Sequence, residues 1–297
     1  MPGKIAASPR PVIKNPLMRP NNSGVTGSQG TKVPVTNTGW KAGAKPAPLK
    51  LSKAVISMDY GMEKGFAAPK GVKVSVSTST VRDSIKLPGN KTAHLECDYQ
   101  NLSVTLANGK KVALVKSDAA AKEMKEWFRA DFTGLKKEDM GEYLPLEYSE
   151  STSVQGFGTA GKLMSIVGTT SQYTGGAHPN NGFALSTYDV NTGKELKLKD
   201  VLSKDQLAGI KKTITEKLKT LKGTGDAEGL DGTSFGGGDA KYIADIASGN
   251  FAISTDKNGK ASITIGIPAG FHAAGPTMAL FTFDAPTDAA FKAKAGL

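Results

Sequence analysis

Leu102-Ser103-Val104-Thr105-Leu106, then Asn108-Gly109, then Val112-Ala113-Leu114-Val115 is the stretch whose pattern decides the fold. Apolar and small polar residues alternate on both sides of the Asn-Gly pair, and Asn-Gly between two such runs is the strongest short hairpin signal because both residues tolerate positive φ. Just upstream, His94-Leu95-Glu96-Cys97-Asp98-Tyr99 alternates in the same way. Downstream, Ser117 or Asp118 is placed to cap a helix in which Met124, Trp127 and Phe128 recur at i, i+3 and i+4.

Further strands follow at residues 147–157, 163–173 and 183–190, the last turned by Asn191-Thr192-Gly193 into a short strand at 195–198. Ser203-Lys204-Asp205-Gln206 is a capping box, and it opens a second helix. Its Leu207, Ile210, Ile214, Leu218 and Leu221 form one apolar stripe, with Lys211, Lys212, Lys217, Lys219 and Lys222 left outside as a solvated face. Strands at 251–254 and 261–267, joined by Asp256 to Lys260, and a last one at 278–283 close the pattern. Strands joined mostly by hairpins, with two separate helices, predict an α+β domain: a mainly antiparallel sheet with two packed helices.

Charge is distributed unevenly. The 297 residues carry a net +11, yet residues 1–80 hold twelve Lys/Arg against only Asp59 and Glu63, a net +10. The remainder has 26 basic and 25 acidic residues and sits at +1. Residues 1–58 contain no acidic residue before position 59 and are rich in Pro, Gly, Ser, Thr and Asn, a composition that buries too little apolar surface to offset the entropy of ordering. The expected division is therefore a disordered basic tail over 1–72 and one domain over 73–297, with Val72 to Val81 as the first strand or an exposed approach to it. Nucleic acid, or another anionic polymer or a membrane, is implied as a partner only through that tail.

Cys97 is the sole cysteine, which excludes an intrachain disulfide, a cysteine-based zinc site and a CxxC pair, and it is expected in the core. No run is long and apolar enough for a transmembrane helix, and the first twenty residues lack a signal-peptide apolar segment.

Reactive constellations are sparse. Gly156-Phe157-Gly158-Thr159-Ala160-Gly161 matches G-x-G-x-x-G, but a dinucleotide site needs a helix next, and Leu163 to Val167 has strand character, so the glycines are expected in a hairpin and no cofactor is implied. Residues 223–239 contain seven glycines and four carboxylates, but Leu230 occupies a calcium-ligand position, which favours a surface loop. His94, His178 and His272 lack any metal-binding spacing. No nucleophile motif is present, so neither a catalytic residue nor a metal ligand is assigned.

One segment carries more. Tyr173-Thr174-Gly175-Gly176-Ala177-His178 follows Leu163-Met164-Ser165-Ile166-Val167 and precedes Tyr188-Asp189-Val190-Asn191-Thr192-Gly193-Lys194-Glu195-Leu196. With Asn250-Phe251-Ala252-Ile253 and Phe271-His272-Ala273-Ala274-Gly275-Pro276 downstream, this resembles the RsiV-like domain of unknown function, which occurs in a lysozyme-sensing anti-sigma factor and at the C-terminus of some peptidoglycan deacetylases. The resemblance covers roughly residues 90–285 in order. It implies a non-catalytic, extracytoplasmic cell-envelope binding module whose partner is lysozyme, another cell-wall hydrolase, or peptidoglycan. On that reading Tyr173, Gly175, Gly176, His178, Asn180 and His272 are the candidate binding residues, and the 173–182 and 223–239 loops are candidate contact surfaces. The alternatives left open are a cell-wall hydrolase using His178 with a carboxylate, and an adaptor held on anionic polymer by the tail.

Overall fold

The computed structural model describes residues 48–57, 66–136, 146–175, 179–222, 250–268 and 278–297. Strands β2 (Lys73–Lys86) and β3 (Thr92–Thr105) pair antiparallel in unbroken register from Lys73 opposite Thr105 to Lys86 opposite Thr92. The two alternating runs on either side of Gln100 are thus one strand. Asn108-Gly109 makes the predicted turn: Gly109 has φ +80° and the Leu106 N–H donates to the Lys110 carbonyl at 2.9 Å, returning the chain as β4 (Lys111–Val115).

Helix α1 (Asp118–Phe132) follows. Met124, Phe128 and Phe132 point into a core with Leu95, Cys97, Tyr99 and Tyr148, and the Phe132 and Tyr148 rings meet edge-on with centroids 5.2 Å apart. Trp127 is only partly buried there. The helix carries the chain over to β5 (Glu147–Ala160), which lies parallel to β3 from His94 opposite Glu147 to Tyr99 opposite Thr152. A parallel pair needs such a crossover. Strands β6 (Leu163–Tyr173), β7 (Asn180–Asp189) and β8 (Lys194–Glu195) then add antiparallel, giving a seven-stranded sheet in the order β2-β3-β5-β6-β7-β8 with β4 on β3.

A second sheet of four strands has the order β1-β11-β10-β9, from β1 (Leu51–Ser57), β9 (Phe251–Thr255), β10 (Ala261–Pro268) and β11 (Met278–Asp284). One face of it, with Ile253, Ile263, Ile265, Phe281 and Phe283, is covered by α2 (Leu198–Val201), α3 (Lys204–Leu218) and α4 (Ala289–Ala295). Burying each such side chain contributes about 1.5–3 kcal/mol. The capping box of α3 is formed as predicted, Gln206 N–H donating to Ser203 Oγ at 3.2 Å and Ser203 N–H to Gln206 Oε1 at 2.9 Å. Ile210, Ile214, Leu218 and Leu221 are buried, as the stripe requires.

The α+β class with mainly antiparallel pairing holds. Three details differ from the sequence expectation. The strands divide between two sheets. Leu51–Ser57, placed in the tail by composition, pairs with β11 and buries Ile56 completely. The strand expected at 195–198 ends at Glu195, because Leu198–Val201 is helical, with Lys197 N–H held by the Asp200 carboxylate at 3.0 Å. Residues 1–47 lie outside the described part, as do residues 223–249 with the glycine-rich acidic loop.

The sheets meet through side chains that satisfy backbone groups. Ser165 Oγ accepts the Ile253 N–H at 2.8 Å, Thr187 Oγ donates to the Phe251 carbonyl at 3.0 Å, and Asn250 Oδ1 accepts the Leu185 N–H at 2.8 Å. Within the G-x-G-x-x-G run, Gly158 serves this contact. A Cβ on Gly158 would stand 2.5 Å from the Ser254 Cβ, and Gly161, with φ +57°, turns β5 into β6. They sit in a hairpin, as expected.

Candidate functional site

Opposite residues in a β-ladder share a face, as do alternate residues along a strand. The pairings Asp98 with Ser151, Ser151 with Ser171, Ser171 with Asn181, and Ser153 with Thr169 therefore set one row of short polar side chains across β3, β5, β6 and β7. Thr80 of β2 extends the row, donating from Oγ1 to Asp98 Oδ1 at 2.5 Å. On this same face, farther along β6 and β7, Val167 and Leu185 are covered by Ala252, Met278 and Leu280 of the second sheet. Beyond that contact the face opens into a groove of about 540 Å³.

Five hydroxyls on this face line it, from Thr78, Ser151, Ser153, Thr169 and Ser171, together with the amides of Gln100 and Asn181, while Thr152 and Thr170, opposite Tyr99 and each other, turn their side chains to the buried face. A hydroxyl both donates and accepts, so the lining can meet a ligand group of either polarity. Among the described residues Asp98 is the one ionisable side chain in the lining, and none of them brings a cation to it. The nearest basic group on β2, Arg82, is already taken by Glu96 through Nη2 at 2.5 Å and Nε at 3.1 Å. Some hydroxyls are engaged with each other: Ser153 and Thr169 share a hydrogen bond at 2.6 Å.

Gln100 shapes one end. β3 and β5 stop pairing after Tyr99 and Thr152, and at this fork Gln100 Oε1 accepts the Val154 N–H at 2.9 Å while its own N–H donates to Thr152 Oγ1 at 3.2 Å. The next residue, Asn101, bonds Ser79 Oγ at 2.8 Å and the Ser117 N–H at the start of α1 at 2.8 Å.

Beneath the sheet, on the α1 side, Tyr99 donates to the buried Glu150 carboxylate at 2.6 Å. Burial, reinforced by that carboxylate, keeps the Tyr99 phenol protonated, and burial pushes the Cys97 thiol up to about 11. Cys97 is 1% exposed, the core cysteine that the sequence predicts. These groups face the core and not the groove.

Of the predicted site residues, Tyr173 ends β6 opposite Ser149 and two residues from Ser171, so it stands on the face of the groove, half-buried. Gly175 follows with φ +92°, a backbone that glycine accepts without strain. Asn180 opens β7 opposite Gln172. The predicted contact loop 173–182 is thus strand at both ends, and Asn181 and Gly182 within it line the groove. Gly176, His178 and His272 lie outside the described residues, and with them the hydrolase reading based on His178. His94 is exposed on β3. Among the described residues no group of three or more His, Cys, Asp or Glu is placed to hold a metal, and no helix is long and apolar enough to cross a membrane.

Sequence reading finds the strands but not the array they make. Ser149 to Ser153, Thr169 to Ser171 and Ser75 to Thr80 each show dense hydroxyls, and only the register brings them together.

No family model matches the chain, and no curated protein matches it. Among solved structures, a DUF3298 family member from Bacteroides fragilis NCTC 9343 aligns at 15% identity with a TM-score of 0.42, over 73% of this chain and 91% of that one. A DUF3298 family protein from Pseudomonas aeruginosa PAO1 aligns at 14% identity with a TM-score of 0.34, over 72% and 91%.

Proposed function

We propose that the domain is a cell-envelope recognition module that binds peptidoglycan in the groove across β3, β5, β6 and β7. The observation that supports this most is the lining itself: among the described residues, five hydroxyls, two amides and one carboxylate, with no cation. A glycan strand presents hydroxyl and amide groups that both donate and accept, and such a lining can answer them without desolvating an unmatched charge. Tyr173, on the same face beyond Ser171, offers an aromatic ring beside the polar row, an apolar surface with a polar tip. The RsiV-like resemblance carried by Gly175-Gly176-Ala177-His178 points to the same setting. The test is sedimentation of the protein with purified peptidoglycan sacculi, followed by titration with soluble glycan fragments. Saturable retention, competed by the fragments, is the expected result; recovery of all protein in the supernatant refutes the reading.

Asp98 favours a second partner, a basic cell-wall hydrolase such as lysozyme. An acidic side chain with no free cation beside it among the described residues suits a Lys or Arg presented by such a protein. Complex formation with lysozyme that weakens steeply with salt is the expected signature.

A further inference from the structure

β2 (Lys73–Lys86) stands at the edge of the seven-stranded sheet, paired on one side with β3 and, among the described residues, with no strand on the other. Edge strands expose a row of backbone N–H and C=O groups, and proteins commonly protect them with charges, proline, bulges or short length. β2 has none of these over its middle. It runs for 14 residues without a register shift, and the eight residues from Val74 to Val81 include no charge and no proline. Val76 is one of two large apolar side chains exposed among the described residues, at 42%. The charges sit at the two ends, Lys73 at one and Arg82, Asp83 and Lys86 at the other.

We infer that β2 pairs antiparallel with β2 of a second copy of this chain, about a two-fold axis at Thr78. The axis follows from the end charges. In an antiparallel self-pairing, residues equidistant from the axis stand opposite each other on the same face. With Thr78 on the axis, the uncharged residues Ser75 to Val81 pair only with one another, Val76 facing Thr80 and Ser77 facing Ser79, while Val74 packs along the Arg82 stem and Lys73 stands opposite the second copy's Asp83, which its own chain's Arg129 and Lys125 already hold. Moving the axis to Val76 sets Lys73 against Ser79, and moving it to Thr80 sets Arg82 against Thr78 and Asp83 against Ser77, so either shift brings charge into the uncharged stretch. The ladder ends at Lys73, and Lys86 lies beyond it.

The two-fold runs perpendicular to the sheet, so both copies present the same face. Thr78 lines the groove, and its face is the one that carries Asp98. The two grooves therefore meet along the paired β2 strands as one polar trough, suited to a ligand longer than either groove. This last step rests on the peptidoglycan reading; the pairing itself does not.

The experiment is sedimentation equilibrium of the full-length protein across a wide concentration range, with disulfide trapping in parallel. The wild-type chain is expected to show a concentration-dependent dimer, and Val76→Lys, which puts a charge on the edge at an exposed position, to shift the dissociation constant upward at least tenfold. Thr78→Cys is expected to cross-link to itself under mild oxidation, because the on-axis residues face each other, whereas Thr80→Cys is not, because its copies lie four residues apart along the strands. Cys97 is buried and leaves the engineered thiol as the reactive one. A wild-type chain that stays monomeric, a Val76→Lys protein that dimerises unchanged, or equal cross-linking of the two cysteine variants would each overturn the inference. Sacculus binding by a monomer overturns the pairing alone, and a dimer that binds no sacculi refutes only the peptidoglycan reading.

Discussion

Gln100 Oε1 accepts the backbone N–H of Val154 at 2.9 Å across the point where β3 and β5 separate. Past this point β3 is paired by β4, through Leu102 opposite Val115, and β5 by β6 alone. A fork in a sheet leaves N–H groups without ladder partners, and a glutamine is long enough to reach one. Gln100→Ala removes the acceptor and strands a partly buried donor, so it is expected to destabilise the fold by about 1–3 kcal/mol. Gln100→Glu keeps an acceptor and is expected to recover most of that loss at neutral pH. Urea unfolding with an unchanged m-value checks both.

Gly158 tests the contact between the sheets. A Cβ there would fall 2.5 Å from the Ser254 Cβ, a distance that neither backbone can relieve without moving. Gly158→Ala is expected to cost about 1–3 kcal/mol through overpacking. Ser254→Gly in the same chain removes the opposing atom and is expected to restore part of the loss, giving a favourable coupling in a double-mutant cycle. Additive losses would show that Gly158 matters for its backbone freedom instead.

These two sites also show what the sequence discloses and what it conceals. The Asn108-Gly109 hairpin and the Ser203 to Gln206 cap are local chemistry, and both are formed where the sequence places them. The split into two sheets is not local. It rests on Ser165, Thr187 and Asn250 bonding to strands 64 to 88 residues away in the chain. Strand β1 is hidden for another reason: seven residues, of which only Leu51, Val55 and Ile56 are large and apolar, vanish in the average of a long basic segment. Tyr173 is readable as a candidate from its motif, whereas Asp98 and Ser151 become neighbours only through the parallel register of β3 and β5.

Asn250 joins the sheets at a positive φ of 60°, with Oδ1 on the Leu185 N–H and Nδ2 donating to the Gly266 carbonyl at 2.5 Å. Asparagine tolerates this backbone better than most residues, and here it also supplies both bonds. Asn250→Gly keeps the backbone and loses the bonds; Asn250→Ala loses both. The alanine protein is therefore expected to melt lowest, the glycine protein between it and wild type, as followed by circular dichroism.

Glu195 gives the fold a pH dependence. Its carboxyl is held above the ordinary carboxylate range by burial, opposed in part by the Ser186 hydroxyl, which donates to Oε1 at 2.7 Å, and by Lys197. The folded state therefore keeps the Glu195 proton to higher pH than the unfolded chain does. Between the ordinary carboxylate value and the raised folded value, unfolding releases a proton, so this group's contribution to stability falls as pH rises through that window. Glu195→Gln cannot titrate and is expected to flatten this part of the profile while leaving stability near its acid-side level. Denaturation midpoints measured from acid to neutral pH decide it, and identical profiles for the two proteins would exclude Glu195 as the source.

Asp98 and Tyr173 test the groove in opposite ways. Asp98 is the only ionisable lining group among the described residues and is held by Thr80, so Asp98→Asn keeps the shape and removes the charge. A neutral glycan gains little from that charge, and Asp98→Asn is expected to change sacculus affinity by less than about threefold while weakening a lysozyme complex at least tenfold, roughly 1.4 kcal/mol. Tyr173→Phe keeps the ring and Tyr173→Ala deletes it. If sugar rings pack on that side chain, the alanine protein loses about tenfold in glycan affinity and the phenylalanine protein much less, since the contact is apolar area more than a single hydrogen bond. The two substitutions thus separate the ligands: sensitivity at Tyr173 with indifference at Asp98 identifies a glycan, and the reverse pattern identifies a basic protein.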